Sequence, residues 1–264
     1  MIIDKVIFTC DNNPHYNGFW KSISKHYFKK LNITPHLFLL SEKQNDVELF
    51  KTDCGIVTHV PVLQNYPKII QALIGKFYFT TTELNTTWLI GDLDLYPLQK
   101  NFFINSVKEI NDDKYVHLNS NAYGEDWRNK FEGLAGYYHV AKGKTFKQEL
   151  FGNLSFEEIV SQIFYSNKFG IKFYNSPASA ESKAATPDWG WFCCEEMFTG
   201  SKLKNSNNLV ELNFPSHFMN NRIDRSNFLY DCEKIKHGYY IDMHSPRPYE
   251  SYSEEIEEIL SHVQ

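Results

Sequence analysis

Two carboxylates separated by one residue stand at Gly91-Asp92-Leu93-Asp94, directly after the apolar run Thr87-Trp88-Leu89-Ile90. Acids beside a buried strand are costly to ionise unless something positive meets them. One divalent cation can meet both, and carboxylate oxygens suit Mg²⁺ or Mn²⁺. A bare D-x-D recurs by chance in many chains. Here it has a context: an apolar strand before it, Gly91 for close approach, and Leu95-Tyr96-Pro97-Leu98 after it. The competing reading is a solvated turn carrying two unrelated acids. A second concentration of chemistry is Asp188-Trp189-Gly190-Trp191-Phe192-Cys193-Cys194-Glu195-Glu196. Indole faces stack on the C–H faces of sugars, while carboxylates bind hydroxyls or take their protons. The plainer reading is a helix start with N-terminal acids and core tryptophans.

These residues need a frame. Lys5-Val6-Ile7-Phe8-Thr9-Cys10 reads as a strand buried on both faces, and Asp11-Asn12-Asn13-Pro14 as a turn. Phe19, Trp20, Ile23, Tyr27, Phe28 and Leu31 follow at helical spacing, and residues 36–40 form a second apolar run. A weaker strand is expected over 55–60, a helix from Pro67 to about Phe79, and a strand over 87–90 that ends at the acid pair. Strands alternating with helices imply a doubly wound, mainly parallel sheet, which binds ligands beyond the carboxyl ends of its strands. The second half is less regular. Strands are expected over 115–118 and 136–140, helices over 146–151 and 156–164, and a loop over 176–187. Residues 253–262 form an acidic amphipathic helix suited to surface packing. No repeat or domain boundary appears.

Composition narrows the classes. Hydrophobic residues at 42 % and aromatic residues at 16 % indicate a folded globule rather than a disordered chain. A net charge of −5 argues against a nucleic-acid partner, which would call for a basic stripe. A diphosphate is different, because one bound cation can handle it. The five cysteines, Cys10, Cys54, Cys193, Cys194 and Cys232, show no zinc-type C-x-x-C spacing and read as reduced thiols. The N-x-[ST] triplets at Asn32, Asn85 and Asn153 read as unused. No signal peptide or apolar run of about 20 residues is visible, so a cytoplasmic protein is expected, in the host cytoplasm if its source is viral.

Taken together, the motifs resemble those of the GT-A glycosyltransferase superfamily over most of the chain. The matching residues are Thr9 to Asn12, Lys76-Phe77, Trp88-Leu89-Ile90-Gly91-Asp92-Leu93-Asp94, Gly133-Leu134-Ala135-Gly136-Tyr137-Tyr138, the stretch 189–197, and His244. In size and style the chain is similar to the small chlorovirus glycosyltransferases, enzymes of large DNA viruses of algae. The resemblance implies one α/β domain of GT-A (Rossmann-like) type over 1–264, with a mainly parallel central sheet flanked by helices. Its nucleotide-binding half would cover about 1–98 and its acceptor-binding half about 99–264. The implied activity is metal-dependent transfer of a hexosyl or pentosyl group from a nucleotide sugar, UDP-sugar first, to a carbohydrate or glycoprotein-glycan acceptor, with inversion.

The resemblance also implies roles. Asp94 would bind Mn²⁺ or Mg²⁺ directly, Asp92 would contact the ribose or the ion's shell, and His244 would complete the coordination. Arg247 and Lys76 would meet the diphosphate. Thr9, Asp11 and Asn12 would offer hydrogen bonds to base and ribose, with Tyr16 stacking on the base. Gly136 would let the backbone pass under the donor sugar. Glu196, then Glu195, then Asp188, would be the general base. For each, an ordinary turn, surface or core role is the alternative. Two rival functions are a sugar nucleotidyltransferase and a non-catalytic carbohydrate-binding protein. The first usually has a Gly-rich basic loop where Asp11-Asn12-Asn13-Pro14 stands; the second has no need of a D-x-D at a strand end.

Overall fold

Strand β1 (Lys5–Asp11) is apolar on both faces, and the fold grows outward from it. Val6 and Phe8 point to one side and Ile7 to the other, all fully buried. The computed structural model describes residues 1–120, 134–165, 199–203, 205–213 and 221–264. Beside β1 lie β2 (Thr34–Ser41), then β3 (Ile56–Pro61), and on the other side β4 (Thr87–Ile90). All four run parallel. The sheet continues through β7 (His139–Lys142), β6 (Tyr115–His117) and β8 (Leu209–Glu211), giving seven strands in the order β3-β2-β1-β4-β7-β6-β8. Strand β7 alone is antiparallel to both neighbours. The architecture is the expected α/β layer structure with a mainly parallel central sheet.

Helices cover both faces. Helix α1 (Pro14–Asn17) is one turn, capped by the Asn13 side chain. Helix α2 (Phe19–His26) buries Phe19, Trp20 and Ile23, and the Trp20 indole donates to Phe50 O at 2.7 Å. A π-turn, Tyr27–Leu31, extends it and stops where Asn32 turns left-handed at φ 59°. On the opposite face, α3 (Lys68–Tyr78) packs Ile70, Ile74 and Phe77 against Ile7, Phe38 and Ile90. Helix α4 (Lys100–Lys108) and the C-terminal helix Ser253–Ser261 join α2 on its side. No helix among the described residues is long and apolar enough to cross a membrane.

A second sheet was not anticipated from the sequence. Its strands are β5 (Leu95–Pro97), β9 (Arg222–Asp224) and β10 (Asp242–His244), in the order β5-β10-β9. Two other differences are local. Strand β7 begins at His139, later than residue 136, because Tyr138 takes a positive φ of 59° that no extended strand tolerates. The expected helix over 146–151 is an α-turn, Gly143–Phe146, followed by a π-turn, Lys147–Phe151.

Three buried histidines make this fold acid-sensitive. Burial lowers His26 and His36 to about 4, and burial together with neighbouring His117 takes His139 well below its usual value. Each is neutral when folded and binds a proton near pH 6.5 when unfolded. Their contribution is therefore complete above about pH 6.5 and is lost as the pH falls towards 4, on the order of 3 kcal/mol for His26. Thermal unfolding followed between pH 7 and 4.5 should show a midpoint that drops steadily below pH 6.5. A flat midpoint across that window would contradict neutral burial.

Candidate functional site

The order β3-β2-β1-β4 reverses direction at β1, since the chain leaves to one side for β2 and β3 and returns on the other for β4. Such a switch point is where α/β sheets leave a crevice beyond their strand ends. Asp11 ends β1 there, and Gly91-Asp92-Leu93-Asp94 follows β4. Gly91 donates its backbone N–H to Ile7 O at 3.0 Å, and a Cβ on it would stand 2.5 Å from the buried Phe8 ring. Only glycine lets the strand turn out so close to β1.

The two acids then part company. Asp92 Oδ1 receives the Lys76 ammonium at 2.5 Å, with the Asp92 side chain one-third exposed and Lys76 buried. Asp94 is 5 % exposed and points into the small sheet. Three cationic or protonatable groups face its single oxygen Oδ2: His244 Nε2 at 3.4 Å, Arg225 Nη1 at 3.5 Å and Arg247 Nε at 3.6 Å. Asp224 Oδ2 lies 3.7 Å from the other imidazole nitrogen, Nδ1.

Strand register explains this convergence. In β10, His244 pairs with Leu95 on one side and with Asp224 on the other. Asp94 precedes Leu95 and Arg225 follows Asp224, so pairing alone brings all four functional groups to one end of the sheet. Ser245 N–H to Asp94 O at 2.8 Å closes that end. Lower in the sheet, Arg222 and Asp242 form a fully buried two-pronged ion pair, with Nε to Oδ1 at 2.7 Å and Nη2 to Oδ2. The Arg222 guanidinium also lies over the Tyr137 ring, 5.3 Å from its centroid.

Electrostatics follow from burial against charge. Burial alone would raise Asp94, but His244 and Arg225 outweigh it and hold the carboxyl below its ordinary value. Burial disfavours the His244 imidazolium, yet Asp94 and Asp224 raise its pKa. Asp224 is held well below the usual carboxylate range, because the nearby His244 imidazole and the Ser226 N–H, 2.9 Å from Oδ1, overcome its desolvation. Asp11 is raised, by desolvation first.

The remaining expected residues are distributed around this centre. Tyr16, from α1, bonds through its hydroxyl to Arg247 Nη1, and the guanidinium stands 4.9 Å from its ring centroid. Arg247 thus ties the turn after β1 to Asp94. Thr9 Oγ1 donates to Ala72 O on α3 at 2.5 Å, and Asn12 Oδ1 accepts from Asn17 at 2.9 Å. Gly136 is buried two residues before Tyr138, whose N–H bonds Ile90 O at 2.8 Å. Asp188, Glu195 and Glu196 lie outside the described residues, as do Gly133 and the Cys193-Cys194 pair.

Asp94 and His244 suit a shared divalent ion. Donors that ligate one cation at about 2.1 Å lie roughly 3–3.5 Å apart, whereas a direct charged hydrogen bond would be about 2.7–2.9 Å. Their 3.4 Å separation matches the former. Asp92 does not complete a three-ligand cluster with them: among the described residues, the one His/Cys/Asp/Glu trio with mutual donor separations within 4.8 Å is elsewhere. Mg²⁺ and Mn²⁺ often take one or two protein ligands, with substrate phosphates and water supplying the rest.

Sequence reasoning missed Asp224, Arg225 and the Arg222–Asp242 pair. The signal was present in Arg222-Ile223-Asp224-Arg225 and Asp242-Met243-His244, where one apolar residue separates charged ones. Three-residue strands are too short for that alternation to stand out.

The sequence matches no protein-family model and no curated protein. Similar folds occur among solved structures. One is the galactosyltransferase LgtC in complex with donor and acceptor sugar analogs, at 11 % identity and a TM-score of 0.49, covering 98 % of this chain and 96 % of that one. Another is the glycosyltransferase GlyE of Streptococcus pneumoniae TIGR4, at 10 % identity and a TM-score of 0.48, covering 99 % of this chain and 63 % of that one. This chain therefore spans less than two-thirds of GlyE. Likeness at this level leaves the chemistry to be read from the residues.

The buried ion pair gives a direct test of how the site is held. Arg222→Ala should cost about 3–5 kcal/mol in urea unfolding, since it strands the Asp242 charge. The double variant Arg222→Met/Asp242→Leu should recover most of the loss. A cost below about 1 kcal/mol for the single change would show that the pair does not secure β9 to β10.

Proposed function

We propose that the chain is a metal-dependent glycosyltransferase of GT-A type, moving a sugar from a nucleotide sugar, UDP-sugar first, to a carbohydrate hydroxyl with inversion. The observation that carries this reading is the Asp94–His244 pair at 3.4 Å, placed beyond the strand ends at the sheet's switch point and flanked by Arg225 and Arg247. Two guanidiniums balance the Asp94 and Asp224 carboxylates, so a divalent ion would add the positive charge that a diphosphate needs.

Asp94 and His244 would hold Mn²⁺ or Mg²⁺, which when bound neutralises charge on a departing nucleoside diphosphate. Arg247 and Arg225 orient phosphate oxygens, for which a planar guanidinium is well shaped. Asp11 and Asn12 offer hydrogen bonds to base and ribose, and Tyr16, with its ring already under a cation, stacks on the base. Lys76 fixes one oxygen of Asp92 and leaves the other to accept from a ribose hydroxyl. The general base comes from the segment 188–196, with Glu196 first, then Glu195, then Asp188; it removes the acceptor hydroxyl proton as that oxygen attacks.

Hydrolysis or transfer with a panel of UDP- and GDP-sugars tests the reading. Mn²⁺ should activate the wild type and excess chelator should abolish turnover. Asp94→Ala should lose at least the roughly 10–100-fold that even an outer-shell partner of a metal contributes. Asp94→Asn, which keeps the shape beside two guanidiniums, serves to separate lost chemistry from lost folding. Full activity in chelator would sink metal dependence, and an active Asp94→Ala would sink the assignment of the ligand.

A further inference from the structure

Between β9 and β10, the connecting segment meets the C-terminal helix at three metal-capable side chains. Cys232 begins the short helix Cys232–Lys236, whose start is capped by Asp231 through Glu233 and Lys234 backbone N–H groups. Glu258 and His262 come from the C-terminal helix and the residue that caps it. One donor atom from each of Cys232, Glu258 and His262 lies within 4.8 Å of the other two. Four residues apart on one helix, Glu258 and His262 share a face. Cys232 Sγ stands 4.0 Å from Glu258 Oε1.

The carboxylate is oriented as a ligand would be. Tyr230 donates its hydroxyl to Glu258 Oε2 at 2.8 Å, which leaves Oε1 turned towards the thiol. Outer partners of this kind fix the rotamer of metal-binding carboxylates. We infer that Cys232, Glu258 and His262 form a zinc site, separate from the Asp94 centre, that staples the C-terminal helix to the segment joining β9 and β10.

The donor set selects the metal. Thiolate and imidazole favour Zn²⁺ over Mg²⁺ or Mn²⁺, and three protein ligands leave a fourth tetrahedral position for water. Binding requires the thiol to lose its proton to solvent, so thiolate and carboxylate together neutralise the ion. The consequence is mechanical. The stapled segment runs between Arg225 and His244, so holding it to the C-terminal helix steadies both ends of the small sheet without touching the reacting groups.

Cobalt(II) reports on this site directly, because only a thiolate ligand gives a sulfur-to-cobalt charge-transfer band in the near ultraviolet. Under reducing conditions the full chain should develop that band at one equivalent of Co²⁺, and one equivalent of Zn²⁺ should displace it. Zn²⁺ should raise the melting temperature. Cys232→Ser should abolish both effects, and His262→Ala and Glu258→Gln should each weaken binding by about 10-fold or more. Asp94→Asn should leave the band intact, which separates this site from the one proposed for catalysis. Absence of the band in the wild type, or its persistence in Cys232→Ser, would overturn the proposal.

Discussion

Everything at the head of this sheet depends on one buried carboxylate. Asp94 is almost completely withdrawn from water, and desolvation alone would raise its pKa. His244 and Arg225 reverse that shift, and Arg247 faces the same oxygen, all three at 3.4–3.6 Å. None of these contacts has the length of a tight ion pair, so the oxygen is surrounded by positive charge without being committed to one partner. An arrangement of that kind is poor as a structural salt bridge. Only with His244 neutral would Asp94 and the imidazole meet a cation while the guanidiniums face an anion, as the proposed function requires.

Holding that arrangement is the work of the second sheet. Strands of three residues contribute few hydrogen bonds, and a two-stranded ribbon of that length would be marginal alone. Here β10 is flanked on both sides, and the buried Arg222–Asp242 pair locks β9 to it within the same sheet. A slip of one residue would turn His244 to the other face and dissolve the site. The ion pair therefore adds specificity of register at a place where strand length cannot supply it.

The first ninety residues were largely readable because β1, β2 and β4 are apolar runs next to turn residues and α2 and α3 show a clear periodic face. Thr87–Ile90 and Phe156–Phe164 were expected at the bounds the structure gives. Asp94 and His244 were also legible, the first from its strand context and the second from resemblance. What could not be read was their supporting shell. Asp224 and Arg225 lie some 130 residues from Asp94 in sequence and meet it only through β-pairing. The zinc trio was hidden for the same reason: Cys232 has no cysteine at a metal-binding spacing, and Glu258 with His262 looked like the polar face of a surface helix. Short-range patterns record periodicity, while these contacts are set by the closure of the tertiary fold.

The pair Asp92 and Asp94 shows why spacing alone is an incomplete guide to roles. Two residues apart in an extended segment, they would present both carboxylates to one side, which is how a D-x-D suggests joint chelation. The chain instead turns immediately after β4, with Leu95 N–H closing on Asp92 O at 3.1 Å. That turn sends Asp94 inward to the small sheet and leaves Asp92 near the surface, where Lys76 from α3 neutralises it. The two acids consequently sit in different dielectric surroundings and face different cations. A cation bound at Asp94 and His244 would gain from Asp92 mainly as a neighbouring charge already paired with Lys76. Under the proposed function, Asp92 would therefore receive a hydroxyl group of the ligand rather than grip the metal.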